Sequence, residues 1–177
     1  MTDLTIASPR VLLNGQLRPA TIRVSEGRII AITDGCEPAA TQFADAVIMP
    51  ALVDTHVHIN EPGRTEWEGF ATATRAAAAG GVATLVDMPL NSSPVTTTLS
   101  ALRQKIEASR GQLFVDVGFW GGVVPGNAAE LGPMAKAGAR GFKCFMCHSG
   151  IDDFPASTAI DLRLAMPELR RAGVPLL

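Results

Sequence analysis

Apolar segments centred near residues 50, 85, 116, 143 and 175 recur roughly every 30 residues, the length of one strand and helix unit. They are nearly continuous runs, such as Val82-Ala83-Thr84-Leu85-Val86, and not alternating ones. Such runs belong in a parallel sheet covered by helices, which makes the chain α/β. The regular spacing predicts a (β/α)8 barrel. That fold takes about 250 residues, so residues 49–177 are expected to form about its first half, truncated. A complete, smaller doubly wound sheet is the alternative. Against it stand the lack of Gly-x-Gly-x-x-Gly after any first strand and a final strand, from Val174, with no helix to cover it.

Residues 1–48 follow another rhythm. Leu4 to Ile6, Val11 to Leu13, Thr21 to Val24 and Arg28 to Ile32 are expected strands, punctuated by turns at Asn14-Gly15 and Glu26-Gly27. This predicts a separate N-terminal β subdomain. In the second region Thr65-Glu66-Trp67-Glu68 has the form of a capping box opening an Ala-rich helix that runs to Gly80-Gly81. A helix is expected from Leu99 to Ser109, a strand from Leu113 to Phe119, and a helix capped by Asn127 with Glu130. A strand from Gly141 to Met146 follows, then a helical stretch from Ser157, with Pro167 starting a second helix and Gly173 closing it.

The 177 residues are 47% hydrophobic and 18% charged, enough apolar material for a sizeable core. A net charge of −2 with scattered Lys and Arg offers no basic patch, which excludes nucleic acid and an anionic membrane surface as partners and leaves a small molecule. No stretch has the length of a membrane span and the N-terminus lacks a signal-peptide pattern, so a cytoplasmic location is expected. Three cysteines, Cys36, Cys144 and Cys147, are too few for a disulfide framework.

The first barrel-like strand ends in His56-Val57-His58. Two of the chain's 3 histidines thus share a strand face with Asp54. A single strand histidine is more often a hydrogen-bonded core residue, but a pair roughly 6.5–7 Å apart at Cα suits one metal ion. Lys143 lies among apolar neighbours in Gly141-Phe142-Lys143-Cys144-Phe145-Met146. A buried ammonium is paired, reaches solvent, or is used; a neutral amine serves as a nucleophile or captures CO2 as a carbamate. Cys144-Phe145-Met146-Cys147-His148 matches the haem-attachment pattern, yet without an export signal and on an expected buried strand it argues against haem. Asp116, in mid-strand, reads as a structural acid. Asp87, just before Met88-Pro89, reads as a turn cap, with support of a neighbouring ligand as the other reading. Asn60-Glu61-Pro62-Gly63-Arg64 is a polar loop placed to meet substrate.

Three stretches carry a resemblance: Val53 to Arg64, Asp87-Met88-Pro89-Leu90-Asn91, and Gly141-Phe142-Lys143-Cys144-Phe145. In them the chain resembles the amidohydrolase superfamily and, within it, the cyclic amidohydrolases of the allantoinase branch. The resemblance implies that His56 and His58 bind one metal, that Lys143 is an N6-carboxylysine bridging two, and that residues 1–48 form part of a composite β-sandwich. It implies two divalent ions in the intact enzyme, Zn first, with Co, Mn or Fe as alternatives. It also implies a cyclic ureide substrate contacted by Asn60, Arg64 and Asn91, and a homo-oligomer for the full-length member. Asn60 stands where dihydroorotases carry an Arg for a substrate carboxylate, so a neutral ring such as allantoin, opened to allantoate, is favoured. Dihydropyrimidinase, hydantoinase and dihydroorotase activities are the near alternatives, and a pseudoenzyme or non-catalytic partner subunit the distant one. The second metal's histidines and the proton-shuttling aspartate are expected beyond Leu177, so the chain alone is expected to be inactive.

Overall fold

The computed structural model describes residues 3–177 and divides into two compact units, Met1–Pro50 and Ala51–Leu177, each with its own sheet. In the first, β1 (Leu4–Leu13), β2 (Gln16–Ser25) and β3 (Arg28–Asp34) form an antiparallel meander, and β4 (Thr41–Gln42) adds parallel to β1. Both hairpin turns have positive φ at their two central residues, 51° and 79° at Asn14-Gly15 and 50° and 75° at Glu26-Gly27. That geometry matches the twist of the flanking strands. The two short strands expected before Asn14 are one strand with a register shift between Ser8 and Val11, where Pro9 has no donor to offer and buried Ser8 donates to Ala46 O at 2.8 Å. Val11, Ala20 and Ile22 form the small core. Among the described residues this unit has one sheet.

The second unit is a parallel half-barrel. Strands β5 (Leu52–Val57), β6 (Val82–Asp87), β7 (Asp116–Gly122) and β8 (Ala139–Lys143) lie side by side in sequence order, alternating with helices α1 (Phe70–Ala79), α2 (Leu99–Ser109), α3 (Ala128–Lys136) and α4 (Ala159–Ala172). Strand alternation sorts the side chains. Val57, Leu85, Phe119 and Phe142 join Phe70, Leu102, Leu131 and Leu169 in the main core under the helices, while Val86, Met88 and Trp120 form a separate cluster. At Gly141 a Cβ would overlap the Trp120 indole, so glycine is required there.

Several expected boundaries move. The helix expected from Thr65 begins at Phe70, because Glu61 Oε2 accepts the Phe70 amide at 2.9 Å and caps it from outside. Asn127 precedes α3 but makes no cap bond; its amide ties Thr97 O and Gly122 O instead, and Glu130 accepts the first amide of α2, Leu99 N, at 2.7 Å. Pro167 starts no helix but lies inside α4, on its exposed face, where the carbonyl that its missing N–H leaves free is open to solvent. Thr158 and Asp161 make the capping box of α4, and Gly173 ends it with φ 68°. Beside β8 the expected fifth strand is a short bridge, with Phe142 N donating to Pro175 O and Leu177 N to Phe142 O. Asp116 is the exposed first residue of β7, not mid-strand. Among the described residues no helix is long and apolar enough to cross a membrane.

Candidate metal centre

Four chemically distinctive groups fall at the C-terminal ends of strands. His56 lies in the last pleat of β5 and His58 directly follows that strand, Asp87 ends β6 and Lys143 ends β8. In closed barrels of this type that end holds the chemistry. The imidazoles of His56 and His58 lie with centroids 5.4 Å apart and planes tilted by 51°. Lys143 Nζ reaches to 3.4 Å from His56 Nε2. Since β5 and β8 are the outer strands of the four, a flat sheet would hold them about 14 Å apart at ~4.8 Å per step. The sheet must therefore curl, and its concave side collects these three residues. Trp120 of β7 supports the curl by donating its indole N–H across to Thr55 O, at 2.9 Å. Asp54 turns back on its own strand, where Oδ1 accepts the His56 amide at 3.0 Å.

The electrostatics favour the neutral forms of His58 and Lys143. Burial, and then the charges of Lys143, His56 and Lys105, hold the His58 imidazole below its ordinary pKa, and burial alone lowers that of Lys143. His58 Nδ1 is buried with no hydrogen-bond partner among the described residues. No three His, Cys, Asp or Glu side chains converge among the described residues, so the cluster is the two histidines plus Lys143. Two imidazoles beside an amine, the kind of group that can capture CO2 as a carbamate, make a donor set suited to a divalent ion.

The expected substrate residues lie on two joined loops. Ser93 N donates to Pro62 O at 2.8 Å, which ties the segment containing Asn60 and Arg64 to that of Asn91. Asn60 is buried and its Oδ1 has no partner among the described residues; Arg64 and Asn91 are half-buried, Asn91 with φ 73°. Glu61, from the same loop, is absorbed by structure: one oxygen caps α1 and the other accepts from Gln112 at 3.0 Å. Cys147 and His148 are exposed beyond β8, with His148 Nε2 3.5 Å from Asp152.

Asp87 is not a turn cap. Its Oδ1 accepts the Ile59 amide at 2.7 Å and its Oδ2 pairs with Lys105 Nζ at 2.7 Å, with the side chains of Asp87 and Lys105 0% and 1% exposed. Lys105 escaped sequence reasoning because a helical lysine ordinarily faces water. The available signal was its place on the buried stripe Ala101, Leu102, Lys105, Ser109.

Comparison with known proteins agrees with this geometry. The amidohydrolase family model matches residues 47–170. An allantoinase of Streptomyces avermitilis is 48% identical over 176 residues, covering 97% of this chain and 40% of that enzyme. An allantoinase of Saccharomyces cerevisiae is 48% identical over 164 residues, covering 85% of this chain and 36% of that enzyme. Among solved structures, an L-hydantoinase (dihydropyrimidinase) from Arthrobacter aurescens superposes with a TM-score of 0.85 at 31% identity, covering 99% of this chain and 40% of that one. The chain thus spans about 40% of the length of such relatives. With its half-barrel, its strand-end histidines and a family match over most of its length, the chain belongs to the amidohydrolase family.

Proposed function

We propose that this chain supplies one side of the metal centre of an allantoinase-like cyclic amide hydrolase, which opens allantoin to allantoate. The observation that carries the reading is the meeting of His56 with Lys143, 3.4 Å apart from the two outer strands of the half-barrel. In this reading His56 and His58 hold one divalent ion and Lys143, as N6-carboxylysine, bridges to a second; zinc suits the nitrogen ligands, and Co, Mn and Fe share the preference. Such ions, when bound, polarise the amide carbonyl and lower the pKa of water.

The chain's own residues prepare that site. Desolvation lowers the proton affinity of Lys143 and so raises the share of free amine. The amine nitrogen attacks the carbon of CO2, an N–C bond forms, an N–H proton leaves to water, and a carbamate anion results. The charge beside His56 changes from positive to negative, so repulsion of a cation becomes attraction. Asn60, Arg64 and Asn91 are the proposed substrate contacts. The unpartnered Asn60 Oδ1 needs a donor, which the N–H groups of a cyclic ureide provide and a carboxylate does not. The high structural likeness to the L-hydantoinase favours dihydropyrimidinase-type rings as the second reading. Residues 1–48 are proposed as part of a composite β-sandwich, and the longer protein as a homo-oligomer.

Cobalt titration of the purified chain tests the centre. His56→Ala and His58→Ala are each expected to weaken binding by ~10-fold or more, and Lys143→Ala to weaken it with partial rescue by added short carboxylates. Cobalt affinity indifferent to Lys143→Ala would overturn the bridge. For substrate, ring opening by a protein joining this chain to the later strands is expected with allantoin ahead of hydantoin and dihydrouracil; the reverse order selects the second reading.

A further inference from the structure

We propose that Asp87 and Lys105 are a positioning pair that fixes His58 from the helix side of the sheet by clamping the two peptide groups that flank it. The carbonyl of Val57 accepts from Met88 N at 2.8 Å, and the amide of Ile59 donates to Asp87 Oδ1 at 2.7 Å. These groups belong to the peptide planes on either side of the His58 Cα, so together they set its φ and ψ and hence the direction of its Cβ. Lys105 Nζ joins both anchors, donating to Asp87 Oδ2 at 2.7 Å and to Met88 O at 3.0 Å.

The clamp is needed because regular pairing fails at this point. The register between β5 and β6 is irregular between Asp54 and Val57, and β6 ends at Asp87, so no strand carbonyl remains to accept from Ile59. The Asp87 carboxylate takes that carbonyl's place. A buried ion pair is no cheaper in stability than two apolar side chains, so packing alone does not explain the choice of Asp and Lys. Their hydrogen bonds, directed at each other, at the Ile59 amide and at Met88, whose own amide holds Val57 O, do explain it. A ligand held in one orientation binds metal without first paying to order itself, and loss of such support costs roughly 10–100-fold in affinity.

The inference rests on the reading of His58 as a ligand, and two double variants separate the two claims. Asp87→Asn/Lys105→Met removes both charges but keeps an oxygen for Ile59 N–H; Asp87→Ala/Lys105→Met removes the oxygen as well. In the metal-free chain the His58 ring resonances are expected to match the parent in the first and to shift and broaden in the second, with His148 unchanged in both. Cobalt affinity should stay within about threefold of the parent in the first and fall at least about tenfold in the second. Identical His58 resonances in the two double variants overturn the clamp. The parent offers a test that needs no variant: Ile59's amide is expected to exchange as slowly as those of the sheet, and exchange as fast as the loop at 61–69 overturns the proposal. A parent that binds no cobalt overturns the metal reading, and the His58 and Ile59 resonances then judge the clamp by themselves.

Discussion

At the scale of single residues, the second unit spends its buried charge in one place. Burial, offset only in part by the charge and hydrogen bonds of Lys105, leaves the Asp87 carboxyl raised to about 6. Removing Lys105 alone strands that carboxyl in an apolar site, so Lys105→Met is expected to lose about 3–5 kcal/mol of stability at neutral pH. Urea denaturation measures it. The sign with pH follows from the raised value: relative to the unfolded chain, Asp87's favourable contribution is complete below the ordinary 3.8 and is lost as pH rises through about 6. The penalty of Lys105→Met should therefore shrink on acidification from pH 7 to 5, and a penalty that grows instead would contradict the assignment. His56 and His58 were legible in the sequence because a strand's period of two sets their common face whatever surrounds it. Lys105 was not, because its meaning depends on a carboxylate 18 positions away that only the packing of α2 on β6 brings near.

At the scale of elements, the helices were easier to find than their first turns. The capping-box pattern at Thr65 was mistaken because a carboxylate outside it, Glu61, provides the acceptor, and because three consecutive turn residues precede Gly69. The box at Thr158 forms: Thr158 Oγ1 accepts from Asp161 N at 3.4 Å, and Asp161 Oδ2 accepts from Thr158 N at 2.8 Å. Hydrogen bonds from the Thr158 side chain and backbone hold the Asp161 carboxyl below its ordinary 3.8. A lowered value means stability that is present above pH 3.8 and is lost as pH falls through the depressed pKa. Asp161→Asn should accordingly lower the melting temperature at pH 6, with the difference from the parent closing as the pH drops below 3.8. Thr158→Ala is expected to cost about 1 kcal/mol at neutral pH. The βα rhythm itself was legible from apolar runs and Gly or Pro punctuation, while Pro167 misled because its exposure, which makes it tolerable inside a helix, is a tertiary property.

At the scale of the molecule, the half-barrel leaves β5 with a neighbour on one side only among the described residues, and Leu52 and Val53 are 53% and 62% exposed. An open apolar strand edge pairs readily with another chain. The purified 177-residue chain is expected to self-associate, read as a sedimentation coefficient that rises with concentration, and Val53→Lys to reduce it; a strictly monomeric parent would contradict this. The barrel class was legible because strand spacing is a local property, whereas the convergence of His56 and Lys143 was implied only by the resemblance and not by the spacing, since it depends on how strongly four strands curl. That curl passes through a single glycine. Gly141 leaves room for the Trp120 indole to cross the concave side and hold Thr55. Bulk at position 141 would thus act as a spacer, widening the gap between two side chains it never touches, so in the proposed centre the ionic radius accepted would be set by backbone shape as well as by ligand identity.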